Sequence, residues 1–238
     1  MRIYRRFLHA TPWYLAKYYW WAYLFRPTVW FFDHQWIINA ILFGQYKKLM
    51  RKTLALLKDE DLSLPLQLTS VYGCLSPTLA ERAAPNSLHL TDVATVQLEH
   101  TLRKIPADKR LYCTRMNAEH LGYADACFSC VIVFFLLHEL PVDARERVLR
   151  EAIRVLKPGG KLLVTEYGST PNRHLLYRFG FTRWVLGKVE PFLPGFWQED
   201  LTKILQDYAL DQGHTLLVEH EEDVFNGFYR VVSYRLSE

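Results

Sequence analysis

The sequence is poor in cysteine, with four among 238 residues: Cys74, Cys113, Cys127 and Cys130. Cys127 and Cys130 have the spacing of a metal-binding pair, but no second pair or nearby histidine completes a zinc site. Both flank the start of an apolar run, so they are predicted to be small buried hydrophobes. A disulfide scaffold and a structural zinc site are therefore not expected.

Long apolar runs are also lacking. No uncharged stretch reaches the ~18–20 residues that a membrane-spanning helix needs. The longest in the first part of the chain, residues 34–46, has 13 residues and includes His, Gln and Asn. No small-residue cleavage site follows a clean apolar stretch, so a secretory signal is not expected either. These absences favour a segment that lies on a membrane over one that crosses it.

Acidic residues are scarce in the first part of the chain. Residues 1–52 carry nine Lys or Arg against one acid, Asp33, whereas the net charge of the whole chain is +4. Five of the seven Trp lie within the first 36 residues, and sixteen of the 35 aromatic residues lie within the first 46. Basic and aromatic side chains together are typical of a helical segment on an anionic membrane surface. Residues 1–61 are therefore predicted to be a membrane-associated helical segment that caps the substrate.

From residue 66 onward, short apolar runs alternate with helical patterns, which is typical of a parallel sheet covered by helices. The predicted strands are 66–71, 88–93, 111–114, 128–137, 161–166, 215–219 and 229–236. Residues 148–156 repeat apolar side chains at helical spacing, and Pro158, Gly159 and Gly160 then end the helix. The predicted fold is α/β, with a Rossmann-like sheet that has helices on both faces and a closing strand pair.

Two blocks resemble the class I S-adenosylmethionine-dependent methyltransferases. Residues 151–168 (EAIRVLKPGGKLLVTEYG) are similar to their helix, turn and strand after the active site, and residues 117–140 (NAEHLGYADACFSCVIVFFLLHEL) to their fourth strand and its flanking loops. The resemblance covers residues 62–238, with a lid insertion near 167–198. It implies this fold and S-adenosylmethionine as the cofactor.

A narrower resemblance comes from other motifs. Residues 31–52 (FFDHQWIINAILFGQYKKLMRK) are similar to the opening of the quinone C-methyltransferases of ubiquinone and menaquinone synthesis. The VYGxL motif at 71–75, the run at 92–98 and HELP at 138–141 resemble the rhodoquinone biosynthesis proteins of the RquA type. That resemblance implies that S-adenosylmethionine donates an amino group, which replaces a methoxy group of ubiquinone, and that Mn²⁺ is required.

The turn after the first strand departs from the methyltransferase pattern. Methyltransferases usually have an acid and then three glycines there, so that backbone N–H groups approach the methionine part of the cofactor. This chain keeps Gly73, has Val71 and Tyr72 where glycine is expected, and lacks the acid. The carboxylate that would neutralise the cofactor's α-ammonium is therefore missing.

Candidate cofactor contacts follow from these positions. Asp92 ends the second predicted strand, where this topology places an acid on the ribose hydroxyls; a solvated turn aspartate is the alternative. Asn117, Ala118 and Glu119 follow the third strand, where the family contacts adenine; a loop cap with Asn as the turn former is the alternative. The predicted cofactor site consists of Val71, Tyr72, Gly73, Asp92, Val93, Asn117, Ala118 and Phe134.

Candidate catalytic and metal-binding residues lie past the fourth and fifth strands. Tyr72, His138 and Glu139 are the catalytic candidates, and His138 with Glu166 is the candidate Mn²⁺ site, because ligands of open α/β sheets bind at this edge. The alternatives are a volume-filling Tyr72, a His138 kept for other reasons and a Glu166 that faces a helix. His174 is a weaker metal candidate.

The sequence thus predicts a peripheral membrane enzyme that converts ubiquinone to rhodoquinone with S-adenosylmethionine and Mn²⁺. Aromatic and basic residues are interleaved at 167–197, a pattern also found in nucleic-acid binders. A lipid-facing lid is preferred, and no nucleic-acid partner is expected. The expected location is the cytoplasmic face of the inner membrane, or the mitochondrial inner membrane in a eukaryote. An ordinary quinone C- or O-methyltransferase and a non-catalytic scaffold remain alternatives.

Overall fold

A computed structural model describes residues 11–106, 110–169 and 174–237. Its central feature is a seven-stranded sheet with the order β3-β2-β1-β4-β5-β7-β6. The first five strands are parallel, and β7 is antiparallel to both β5 and β6. Parallel strands joined through helices and closed by an antiparallel pair confirm the predicted fold.

The strands lie close to their predicted positions. They are β1 (Pro65–Leu68), β2 (Leu88–Asp92), β3 (Leu111–Arg115), β4 (Phe128–Phe134), β5 (Leu156–Tyr167), β6 (Leu216–Val224) and β7 (Tyr229–Leu236). β4 ends three residues earlier than predicted, because Phe135 adopts a φ of 51° and turns the chain out of the sheet. β5 begins earlier than predicted. It contains an irregularity, since Phe128 pairs with Leu156 but Cys130 pairs with Lys161.

Helices cover the sheet and form the first part of the chain. A π-helical turn (Leu15–Tyr19) precedes four short helices, α1 (Trp20–Tyr23), α2 (Arg26–Phe32), α3 (Gln35–Ile41) and α4 (Tyr46–Ala55). The remaining elements are α5 (Leu75–Ala83), α6 (Thr95–Leu102), a 3₁₀ turn (Leu137–Glu139), α7 (Val142–Val155), α8 (Leu175–Arg178), α9 (Gly180–Val189), α10 (Leu193–Phe196) and α11 (Leu201–Asp211). Among the described helices, none is long and apolar enough to cross a bilayer.

The core lies around β4, which is buried along its whole length as expected for a central parallel strand. Cys130 on this strand is buried, and burial raises the pKa of its thiol to about 12. The four cysteines are free. Residues 11–57, called the N-terminal segment below, pack against this domain. Thr53 illustrates the contact, because its hydroxyl lies 2.6 Å from that of Thr165 on β5.

The first ten residues of the predicted membrane segment, with Arg2, Arg5 and Arg6, lie outside the described residues. So does the start of the predicted lid at 170–173. The described part of that lid contains α8, α9 and α10.

Candidate functional site

A cavity of about 320 Å³ lies beyond the carboxyl ends of β1, β2 and β4. This is the edge where ligands of open α/β sheets bind, and the volume falls in the ~300–1,000 Å³ range of small-molecule sites. The sheet supplies one wall and the N-terminal segment supplies another, including Tyr14, Tyr19 and Tyr23. Glu190, at the end of α9, closes a further side.

The turn after β1 brings part of the predicted cofactor site to this cavity. Val71 and Tyr72 line it, whereas Gly73 is not among its lining residues. Thr69 also lines it and has a φ of 68°, a conformation that is strained for a β-branched residue. Gln67 does not take the place of the missing acid. Its side chain is buried and donates to the Thr69 carbonyl and the Ser76 hydroxyl, both at 2.9 Å.

Asp92 lies at the cavity wall at the end of β2, as predicted. Its two oxygens accept hydrogen bonds from the N–H groups of Ser70, at 2.9 Å, and Ala94, at 2.7 Å. Burial raises the pKa of Asp92 to about 7, although these hydrogen bonds oppose the shift. Asp92 therefore joins the turns after β1 and β2, and its carboxyl titrates near neutral pH.

The other predicted cofactor residues lie at the same cavity. Val93, Asn117, Ala118 and Phe134 all line it. Asn117 donates its amide N–H to Glu119 at 3.1 Å, and Tyr14 donates its hydroxyl to the same Glu119 oxygen at 2.9 Å. The loop after β3 is thus attached to the N-terminal segment.

His138 and Glu166 form a buried pair beside the cavity. His138 is 4% exposed, Glu166 is fully buried, and the imidazole Nδ1 lies 2.7 Å from Glu166 Oε1. Burial lowers the pKa of His138, but the adjacent Glu166 outweighs this effect, and the pKa rises to about 9. Glu166 also accepts from the N–H groups of Leu137 and Tyr167, at 2.8 and 2.9 Å. Its oxygens thus accept hydrogen bonds behind His138, and metal binding by Glu166 itself stays a prediction.

The other nitrogen of His138 points to two carboxylates. Nε2 lies 4.0 Å from Glu139 Oε1 and 3.9 Å from Glu190 Oε2. One ligand atom from each of these three residues can be chosen so that all lie within 4.8 Å of one another. Two atoms that each lie about 2.0–2.2 Å from one divalent cation are at most ~4.4 Å apart, so these side chains would have to move slightly closer together to share an ion. Glu166 would then lie at Nδ1 of His138, where a carboxylate that does not itself bind the metal commonly orients a metal-binding histidine.

The two carboxyl groups of this cluster repel each other when both are ionised, and a bound cation would relieve that repulsion. Burial, followed by repulsion from Glu190, raises the pKa of Glu139 to about 8. Burial likewise raises the pKa of Glu190. Both carboxylates accept a phenolic hydrogen from the N-terminal segment: Tyr23 donates to Glu139, and Tyr19 donates to Glu190 at 2.9 Å. A hard divalent ion prefers oxygen ligands of this kind.

Sequence reasoning missed Glu190, Tyr19 and Tyr23 as parts of the site. Their positions in the sequence carry no motif, because they belong to segments outside the two resembling blocks. His174, the weaker metal candidate, lies elsewhere. It is buried, its ring packs at a tilt against Phe225 with centroids 4.1 Å apart, and its Nδ1 accepts from the Leu176 N–H.

Tyr72 is held by the N-terminal segment. Its hydroxyl donates to the Ala22 carbonyl, and its ring stacks on Tyr23 with centroids 5.7 Å apart. Burial raises the pKa of Tyr72 far above its usual value, so the phenol is neutral. Tyr72 therefore faces the cavity as a packed aromatic wall with its hydroxyl already engaged.

Comparisons with known proteins agree with this geometry. Residues 66–164, less than half of the chain, match a family described as a methyltransferase domain. An N-methyltransferase of Bradyrhizobium japonicum aligns with a TM-score of 0.56 at 16% identity, over 81% of this chain and 97% of that chain. A methyltransferase of Mesorhizobium loti gives a TM-score of 0.57 at 14% identity, over 78% and 96% of the two chains. The fold is that of a class I methyltransferase.

One relative by sequence is a quinone methyltransferase. The ubiquinone/menaquinone biosynthesis C-methyltransferase of Haemophilus ducreyi is 38% identical over 83 residues. This match covers 34% of the present chain and 31% of the relative, so the chain spans less than a third of the relative's length. The comparisons thus support a methyltransferase-type domain related to that of quinone C-methyltransferases.

Proposed function

We propose that this chain is an S-adenosylmethionine-dependent transferase that acts on a membrane quinone. The observation that carries the proposal is the placement of Asp92, Asn117 and Ala118 around one cavity at the sheet edge. The cofactor carries a positive sulfonium. Three carboxyl groups, those of Asp92, Glu139 and Glu190, line this cavity beside the imidazole of His138, and its described lining contains no Lys or Arg. The pKa values of all three carboxyl groups are raised, and a cation beside them would favour their ionised form, so the cavity suits a cationic ligand.

The quinone class is supported by the relatives and by the apolar part of the cavity. Leu15, Ile38, Ile41 and Leu42 of the N-terminal segment line it beside aromatic side chains. A polyprenylated quinone has to be drawn from a bilayer, and such an enzyme needs an apolar path to its site. The N-terminal segment supplies that apolar wall.

The proposal includes attachment to an anionic membrane surface, the one that holds the quinone. Trp13, Trp20, Trp21 and Trp30 of the N-terminal segment are 39–61% exposed. Further exposed apolar residues occur on the same segment and on α9: Phe25, Phe31, Trp36, Ile41, Phe181 and Trp184. Amphipathic segments that bind membranes expose aromatic and basic side chains in this way.

Methyl transfer is the reaction that the relatives favour. It requires the sulfonium methyl carbon to face the acceptor carbon and needs no metal ion. The test is incubation of the full chain with a demethylated quinone in vesicles and cofactor carrying a heavy methyl group. A quinone heavier by the labelled methyl supports this reaction, and an unchanged quinone excludes it.

Amino transfer is a second candidate, which the altered turn favours. The amine of the cofactor can attack the ring carbon that carries a methoxy group only when the nitrogen is unprotonated. The new C–N bond replaces the C–O bond, and the methoxy group leaves as methanol with a proton from the amine. The bond between the nitrogen and the α-carbon of the cofactor must then break, so that the amino group stays on the quinone. An adjacent carboxylate would favour the ammonium form, and the turn after β1 lacks that carboxylate.

The resemblance also implies Mn²⁺ for amino transfer, and the described residues fit such an ion. His138, Glu139 and Glu190 would hold it, with Glu166 orienting His138. A bound divalent cation supplies a Lewis acid that polarises a carbonyl. The test is incubation with ubiquinone, Mn²⁺ and cofactor labelled at the α-nitrogen. Label in the quinone that depends on Mn²⁺ supports amino transfer, and its absence excludes this candidate.

A further inference from the structure

The turn between β1 and α5 is closed by side chains from the N-terminal segment. The N–H of Gly73 donates to Asp33 Oδ1 at 2.8 Å. The N–H groups of Cys74 and Leu75 donate to the Tyr46 hydroxyl, at 2.7 and 3.2 Å. In a methyltransferase turn, N–H groups at this place are free to approach the methionine part of the cofactor. Here they already have acceptors inside the chain.

Asp33 joins more than one element to the turn. Lys104 donates to Asp33 Oδ1 at 2.6 Å and to the Gly73 carbonyl at 2.9 Å. His100 Nε2 lies 2.9 Å from Asp33 Oδ2. The aspartate therefore connects α2, the turn and the end of α6 while its own side chain is only 14% exposed. It is not among the residues that line the cavity.

Tyr46 fixes the same turn from the other side. Its side chain is buried, and besides accepting two N–H groups its hydroxyl donates to the Tyr72 carbonyl at 3.1 Å. Gly73 has a φ of 83°, and a Cβ on it would lie 2.3 Å from the Tyr46 oxygen. This contact explains why glycine persists here although the other glycines of the turn are absent.

The position of the turn determines what faces the cavity. Val71 and Tyr72 line it directly, and Tyr72 stacks on Tyr23, which donates to Glu139. A shift of Gly73 would therefore move the aromatic wall beside the cofactor. With two glycines replaced, the turn cannot take its shape from glycine flexibility and needs an external constraint.

We propose that Asp33 and Tyr46 are positioning residues that hold the cofactor turn in its binding conformation. The N-terminal segment is then part of the S-adenosylmethionine site, in addition to its proposed contact with the membrane. This inference rests on the proposed function, because it concerns the binding of the same cofactor.

The test uses the full chain in detergent, so that membrane attachment does not enter the result. Binding of S-adenosylmethionine is measured by calorimetry for the wild type, Asp33→Asn and Tyr46→Phe. Asp61→Asn and Tyr112→Phe are the matched controls, since Asp61 also accepts from a turn N–H, that of Ser63, and Tyr112 is exposed on β3. Quinone binding, followed by quenching of Trp fluorescence, and circular dichroism are recorded for every variant.

Asp33→Asn is expected to raise the dissociation constant for S-adenosylmethionine about tenfold, the effect of losing one charge-assisted hydrogen bond. Tyr46→Phe should act in the same direction, with a smaller effect on quinone binding than on cofactor binding and no effect in the controls. If Asp33→Asn does not fold, Tyr46→Phe decides, because its ring packing is preserved.

Unchanged cofactor binding in both variants would overturn the positioning role of Asp33 and Tyr46 and would leave the proposed function intact. So would tighter binding by Asp33→Asn, which would show that Asp33 competes with the cofactor for the turn. If quinone binding weakens equally, the residues stabilise the fold generally and the inference fails. A wild type that binds no S-adenosylmethionine would overturn the proposed function itself.

Discussion

Tyr19 donates its hydroxyl to Glu190 at 2.9 Å, and so joins the N-terminal segment to the end of the lid helix α9 across the cavity. Glu190 Oε2 in turn lies 3.9 Å from Nε2 of His138, at the edge of the sheet. Three parts of the chain that are distant in sequence therefore meet at one polar cluster. The site is complete only when the N-terminal segment, the sheet edge and the lid are all in place.

The cluster of His138, Glu139 and Glu190 predicts that Glu166→Gln binds a divalent cation more weakly than the wild type. The substitution removes the charge behind Nδ1 of His138 while keeping the side-chain size. Loss of such an orienting carboxylate typically weakens metal binding about 10–100-fold. Titration of Mn²⁺ by electron paramagnetic resonance measures this affinity directly. His138→Ala should bind still more weakly, and the surface variant Glu221→Gln should match the wild type. No Mn²⁺ binding by the wild type would exclude the site.

Asp92 predicts a pH dependence of stability. Its pKa is about 7 in the folded chain, above the ~3.9 of an unfolded aspartate, so folding takes up a proton between these values. The stability that this group contributes is thus fully present below pH ~4 and is lost as the pH rises through 7. Relative to Asp92→Asn, the wild type should lose about 1–3 kcal/mol of unfolding free energy between pH 5 and pH 8.

Urea denaturation at both pH values measures this difference. A constant difference between the two proteins would mean that Asp92 is not buried as described. The same variant should bind S-adenosylmethionine more weakly, because a charge-assisted hydrogen bond to the ribose is worth about 1.5–3 kcal/mol.

Thr69→Asp tests the missing acid of the turn. Thr69 lines the cavity and has a positive φ, which aspartate tolerates better than threonine does. The added charge should favour the ammonium form of the cofactor, so binding should hold or tighten. Amino transfer should slow and its optimum should move to higher pH. A variant whose amino transfer is unaffected at every pH would contradict this explanation of the turn.

Membrane attachment is tested with Trp30 and Trp36, which are 61% and 69% exposed. Replacing each by Ser should weaken binding to anionic vesicles about tenfold, for a loss of ~1.4 kcal/mol of apolar burial each. Co-sedimentation with vesicles provides the measurement. Leu210→Ser is the matched control, since Leu210 is 62% exposed on α11. Equal pelleting of all these proteins would exclude attachment through the aromatic residues.

The sheet was predictable because its signal is local. Each buried strand is a short apolar run, and the strand bounds differ from prediction by only a few residues at most ends. The exceptions have local causes. Phe135 turns out of β4 with a positive φ, and residues 158–160, which follow the helix that ends at Val155 as predicted, are part of β5. Neither cause can be read from hydrophobic periodicity.

The candidate site was predictable only where it follows the strands. Asp92 is the last residue of β2, and Asn117 and His138 come shortly after β3 and β4, so topology alone brings them to one edge. Glu166 was assigned to the correct place, but its partner could not be deduced, because the direction of a side chain at a strand end depends on packing. Glu190 and Asp33 come from segments whose approach to the sheet is set by tertiary contacts.

The central claim is that this chain transfers a group from S-adenosylmethionine to a quinone, and mass analysis of the quinone tests it most directly. The full chain is incubated in vesicles with ubiquinone or its demethylated precursor, Mn²⁺, and cofactor labelled at both the methyl carbon and the α-nitrogen. The account predicts that one of the two labels enters the quinone, and that Asp92→Ala reduces its entry. A quinone without either label, recovered from a correctly folded and cofactor-saturated protein, would contradict the account.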